Sequence, residues 1–172
     1  CVWDEIQLVN SKNEHPVAEF ELKSILTKLG ITDYKVDIAA LKKGIISGEY
    51  FFKVKANLSF DDVNPKDYKL LIIPGGRAPE SIRGNKSVKK IIKYFVDNSL
   101  PIGAICHGQQ TLISANVLEN KDATCYSGII DDLINAKANY KDEKVVVCEN
   151  IITSRCPDDL PYFMREIMKK IF

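Results

Sequence analysis

The tightest constraint on this chain is a strand–helix–strand pattern at its centre. YKLLIIPGG (68–76) is a short unbroken apolar run that stops at Pro-Gly-Gly, and LPIGAI (100–105) is a second such run. Between them SVKKIIKYFVDNS (87–99) carries apolar residues at helical spacing. An unbroken apolar run of strand length is covered on both faces, which is the habit of parallel sheets. Parallel neighbours cannot be joined by a tight turn, so the intervening helix is the crossover.

The rest of the chain repeats the alternation. EIQLV (5–9) and YKVDIAA (34–40) read as strands around a helix at 16–30, which has Pro16 in its first turn and Gly30 as its stop. GEYFFKVKANLSF (48–60) alternates as a strand or hairpin does. GQQTLISANVL (108–118) is a helix, and KVVVC (144–148) with NIITS (150–154) forms a hairpin. PDDLPYFMREIMKKIF (157–172) closes as a helix with acids first and lysines last, as the helix dipole prefers. The predicted fold is α/β: one domain over 1–172, a three-layer α/β/α sandwich around a mostly parallel sheet. Its 172 residues suffice to bury a core.

Charge excludes some functions. The 24 basic and 23 acidic residues nearly cancel, so no nucleic-acid footprint arises. No apolar run reaches the roughly 18 residues of a bilayer span. The opening CVWDEIQLVN has neither region of a signal peptide and no initiator methionine, and the five cysteines form no CxxC pair. That combination predicts reduced thiols and a cytoplasmic setting. Thiols and imidazoles are not spaced as ligand pairs, so neither a metal nor another cofactor is expected.

In such sheets the working site lies at the carboxyl ends of the strands. Two ends are chemically unusual: Pro74-Gly75-Gly76 and Cys106-His107-Gly108. A sharp turn from strand to helix there makes Cys106 the thiol counterpart of a nucleophile elbow, with Gly108 relieving crowding. A helix start favours the thiolate, so a lowered pKa is expected. The N–H of His107, with a second donor brought close by Gly75 and Gly76, suits a tetrahedral oxyanion. A packed core cysteine is the alternative, because free cysteine is often buried. His15 and His107 are the only histidines, and none follows position 107, which rules out a papain-like arrangement or an amidotransferase triad with a histidine far downstream of its cysteine. Arg77 and Arg155 read as ion-pair residues, Asp131 and Asp132 as the decoration of a helix start. Cys125 and Cys148 read as buried or peripheral thiols, and Cys156, just past a strand end, is the one to watch.

LLIIPGGRAPESIR, AICHGQQ, SGIIDDLINAKANY and NIITSRCPDDLPYFMREI, in that order, resemble the DJ-1/PfpI superfamily, and in particular its PfpI-like cysteine peptidase and deglycase branch. The likeness is dense over 45–172 and follows only the layout before that. It implies a flavodoxin-like fold, akin to class I glutamine amidotransferases, and a Cys106–His107–Glu80 arrangement with Glu80 supplied by a neighbouring subunit. The site would then need a homo-oligomer, a dimer or a hexamer built from dimers. Tyr126 matches a tyrosine lining the family's site, and Gly75, Gly76 and His107 its oxyanion pocket. The family's first-strand acid has no clean match in NSKNEHPVAEF; by position it falls on Glu14. The substrates implied are small reactive carbonyls, as for glyoxalase III and deglycases, or peptide bonds. A redox-sensing or chaperone-like stress protein with an oxidisable Cys106 is the alternative.

Overall fold

The computed structural model describes residues 5–9, 36–47 and 53–171. The helix expected over 16–30, and Glu14 and His15 with it, lies outside them. The elements are strands β1 (Glu5–Val9), β2 (Asp37–Ala40), β3 (Gly44–Ser47), β4 (Lys53–Ala56), β5 (Leu58–Ser59), β6 (Leu70–Ile73), β7 (Ile102–Ile105), β8 (Asp122–Ala123), β9 (Asn139–Tyr140), β10 (Val145–Cys148) and β11 (Ile151–Ser154). The helices are α1 (Ala78–Ile82), α2 (Lys86–Asp97), α3 (Gln109–Ser114), α4 (Ile130–Asn135) and α5 (Leu160–Ile171).

Among the described residues seven strands form the main sheet, in the order β10-β11-β7-β6-β1-β2-β5. β11, β7, β6, β2 and β5 point one way, and β10 and β1 run against their neighbours. The sheet is thus mostly parallel in direction. The expected 48–60 hairpin is placed differently: β3 pairs antiparallel with β4 outside the main sheet, and only the short β5 joins it beside β2.

Period-2 alternation splits the core into the two outer layers of the sandwich. On one face Leu71, Ile73, Ile102 and Ala104 pack with Val88, Ile91, Ile92 and Phe95 of α2, Leu112 of α3 and Leu133 of α4. On the other, Leu70, Ile72, Ile105 and Ile152 meet Leu160, Phe163, Met164 and Ile167 of α5. Gly103 has no side chain because a Cβ there would come within 2.8 Å of both Phe163 and Ile167. Burying Phe95 and Phe163 fully contributes about 2–3 kcal/mol each. α2 starts at Asn85, whose side chain accepts from the N–H groups of Ser87 (2.8 Å) and Val88 (3.1 Å). That cap aligns the crossover between β6 and β7, which brings the two unusual strand ends side by side.

Candidate active site

β6 and β7 pair in parallel with Ile73 opposite Ala104, so Pro74-Gly75-Gly76 and Cys106-His107-Gly108 leave adjacent strands together. Cys106 opens a short 3-10 turn, Cys106–Gly108, that leads into α3. Its φ of 64° is left-handed, which costs a non-glycine residue about 1–2 kcal/mol. Packing enforces it. A Cβ on Gly75 would lie 2.5 Å from the Cys106 Cβ, and one on Gly108 2.6 Å from the Ile73 carbonyl oxygen. The strand end, the glycine loop and the turn fit only with both glycines bare. Gly76, at φ 79°, turns its own N–H toward the thiol.

Three groups act on the Cys106 sulfur. The backbone N–H groups of Gly76 and His107 donate to it, and His107 Nδ1 stands 3.3 Å away. Burial pushes the thiol pKa up, and the two N–H donors pull it down without cancelling that effect. The lowered pKa expected from the helix start is therefore corrected: burial beside the core cluster between the sheet and α5 outweighs the amides. Burial also holds His107 below the ordinary imidazole value, and the charge of Glu80 opposes this. Both partners accordingly favour their neutral forms, which leaves the imidazole free to accept a proton.

Glu80 is exposed in the first turn of α1, and through α1 its charge reaches His107 of its own chain. The Tyr126 ring lies 4.6 Å from that of His107, tilted by 31°, and its N–H donates to the Cys106 carbonyl at 3.2 Å. Arg77 is exposed just ahead of α1. Arg155 is engaged: Nε donates to Asp159 Oδ2 (2.9 Å), Nη2 to Asp159 Oδ1 (3.2 Å) and Nη1 to Asp142 Oδ1 (2.8 Å). Asp131 and Asp132 stand in the first turn of α4. Cys125 is buried, and Cys106, Cys125, Cys148 and Cys156 are all free. The residues brought together are thus Cys106, His107, Gly75, Gly76, Tyr126 and Glu80.

Gln109, fully buried behind the turn, was not singled out by sequence reasoning. Its Nε2 lies 3.2 Å from the Ala104 carbonyl, 2.9 Å from that of Thr124 and 2.9 Å from that of Ser154. It thereby ties the ends of β7 and β11 to the segment after β8. A glutamine at the first position of an otherwise apolar helix face was the available signal. A cavity of about 510 Å³ between α3 and α4, lined by Ile113, Asp132 and Lys137 among others, shares no residue with this site.

A model of the DJ-1/PfpI family matches residues 12–170. The chain belongs to the DJ-1/PfpI family. It is 45% identical over 136 residues to Deglycase PfpI of Pyrococcus furiosus, covering 79% of this chain and 82% of the relative. It is 45% identical over 137 residues to YraA of Bacillus subtilis (strain 168), by name a candidate cysteine protease, with 80% of each chain covered. Among solved structures, DJ-1 of Schizosaccharomyces pombe superposes with a TM-score of 0.69 at 26% identity, over 76% of this chain and 72% of that one. The family's flavodoxin-like α/β fold is that of this chain. Among the described residues no helix is long and apolar enough to cross a membrane.

Proposed function

We propose that this protein is a cysteine-dependent hydrolase of the deglycase and glyoxalase III type, acting on small reactive carbonyls. The observation that carries the reading is the Cys106 sulfur, held on a left-handed turn with His107 Nδ1 at 3.3 Å and two backbone N–H groups aimed at it. In the proposed reaction His107 takes the thiol proton as the sulfur bonds to an aldehyde carbon. Negative charge leaves the sulfur for the carbonyl oxygen, and the amides of Gly76 and His107 are the donors nearest to receive it. The resulting hemithioacetal is rearranged by proton transfer, and water then releases the hydroxy acid and restores the thiol. The Tyr126 ring lies tilted against the His107 imidazole, on the side facing solvent.

We assign Glu14 the role of the acid that returns a proton. Within one chain the Glu80 charge already reaches His107; we assign the fuller stabilisation of the imidazolium to Glu80 of a neighbouring copy in a homo-oligomer, to which its exposure leaves it open. Purified protein should convert methylglyoxal to lactate, and Cys106→Ser should abolish this. Lactate formation unaffected by Cys106→Ser would sink the reading. Mixing Cys106→Ser with Glu80→Gln protein should restore turnover in mixed oligomers; no recovery would refute the shared site.

A further inference from the structure

A second thiol stands at the same sheet edge. β7 and β11 run parallel with Ile105 opposite Ser154. Cys106 is one residue beyond that pair on its strand and Cys156 two beyond it on the other, and neighbouring strands lie about 4.8 Å apart. Both thiols are free and partly exposed. The segment carrying Cys156 is fixed: its sulfur lies 3.5 Å from Asp159 Oδ2, and Arg155 grips both oxygens of that carboxylate. The charge of Cys156 is also felt at Cys106.

The other described cysteines are poorly suited to react with Cys106. Cys125 is buried, and burial pushes its thiol up to about 12, so it forms little thiolate. Cys148 pairs with Ile151, at the opposite end of β11 from Ser154.

We propose that Cys156 is the resolving thiol of Cys106, closing a reversible Cys106–Cys156 disulfide when a hydroperoxide oxidises the nucleophile. The Cys106 thiolate attacks one peroxide oxygen, the O–O bond breaks, and hydroxide leaves to be protonated to water. Cys106 is then a sulfenic acid. The Cys156 thiolate attacks that sulfur, the S–O bond breaks, and a second water departs as the S–S bond forms. Overall the two thiols give up two electrons and two protons, and one hydrogen peroxide becomes two waters. The disulfide blocks the nucleophile and protects it from irreversible oxidation to the sulfonic acid, and a dithiol restores it. The proposal rests on the reading of Cys106 as a reactive nucleophile.

The test treats the full chain with hydrogen peroxide, caps remaining thiols with N-ethylmaleimide, and maps peptides without reduction. A peptide linking Cys106 to Cys156 is expected, with loss of two hydrogens in mass and return of methylglyoxal turnover on adding dithiothreitol. Cys156→Ser should keep the turnover of untreated protein. After peroxide it should instead accumulate sulfinic acid at Cys106 and stay inactive in dithiothreitol. Sulfinic acid forming equally fast in both proteins, with Cys156 still open to capping, would overturn the proposal while leaving the carbonyl reaction untouched. A linked peptide in a protein without Cys106-dependent turnover would overturn the proposed enzymatic function and leave the disulfide standing.

Discussion

Replacing Gly108 by Ala adds one methyl group at the point where the elbow meets the end of β6. The backbone there is helical at φ −53°, so alanine brings no conformational strain and the effect is one of space. The added Cβ would lie 2.6 Å from the Ile73 carbonyl oxygen and 3.2 Å from that of Pro74. Both are backbone atoms of a strand end, with no flexible side chain to swing aside. To reach ordinary contact, the Ile73–Gly76 segment and the turn must separate by about 0.8 Å. Overpacking of this kind costs about 1–3 kcal/mol, and at 2 kcal/mol a protein of this size melts roughly 4–8 °C lower. The same displacement carries the Gly76 N–H away from the Cys106 sulfur. An error near 1 Å at a reacting centre lowers turnover by about 100-fold. Thermal unfolding and lactate formation from methylglyoxal measure the two effects. Gly84→Ala is the control, because a Cβ there meets nothing within 4 Å; it should change neither quantity. If Gly108→Ala melted lower but kept full turnover, the link between the glycine contacts and the positioning of the thiol would be refuted.

Three further outcomes follow from the same geometry. Cys106→Gly should be more stable than Cys106→Ala by about 1 kcal/mol in urea unfolding, because only glycine holds φ 64° without strain; equal stabilities would mean the elbow stores none. Glu80→Gln should move the acid limb of the pH–rate profile to lower pH. The carboxylate raises the His107 pKa, so its loss keeps the imidazole basic further into acid; a shift upward would contradict the coupling. Arg155→Ala leaves the buried Asp159 carboxylate without its fork and should lower stability near neutral pH, read as a lower midpoint in urea unfolding. Arg155 holds the Asp159 pKa below its ordinary value. Its contribution is therefore full above the unfolded carboxylate value and fades as pH falls through the folded one. The gap between wild type and variant should narrow as pH falls below the ordinary carboxylate range, and a constant gap would argue that packing, not charge, is lost.

Much of the frame was legible in the sequence because its signals are local. LLII and IGAI are unbroken apolar runs, and each ends in residues that can only turn, so both strands and the meeting of their ends could be read. Other features depend on contacts between distant segments. GIIS (44–47) looks too short and too flanked by lysine to be a strand until KVKA (53–56) pairs with it. The raised pKa of Cys106 is hidden for a similar reason: the helix start is local, but the burial that outweighs it depends on a core cluster drawn from β6, β7, β11 and α5. No spacing rule places the Glu80 charge on His107, or Gln109 against three carbonyl groups, since each depends on how the layers close.

The opposed shifts of Cys106 and His107 bear on which reaction the site suits. A pre-formed thiolate–imidazolium pair would suit an enzyme that must protonate a poor leaving group, because the imidazolium is then already in place. Here burial moves both groups toward neutrality, raising the thiol and lowering the imidazole. Charge separates only when a carbonyl arrives and its oxygen takes the negative charge into the amides of Gly76 and His107. Addition to an aldehyde needs no leaving group in that step, so a neutral pair suffices for it. Amide cleavage asks for one step more, because the proton His107 takes from the thiol must then be delivered to the leaving nitrogen. If the neutral pair is the resting state, the alkylation rate of Cys106 by iodoacetamide rises along a single limb centred above the ordinary thiol pKa of about 8.5. A plateau already reached by neutral pH would mean that the ion pair is preformed, and would refute the neutral resting state.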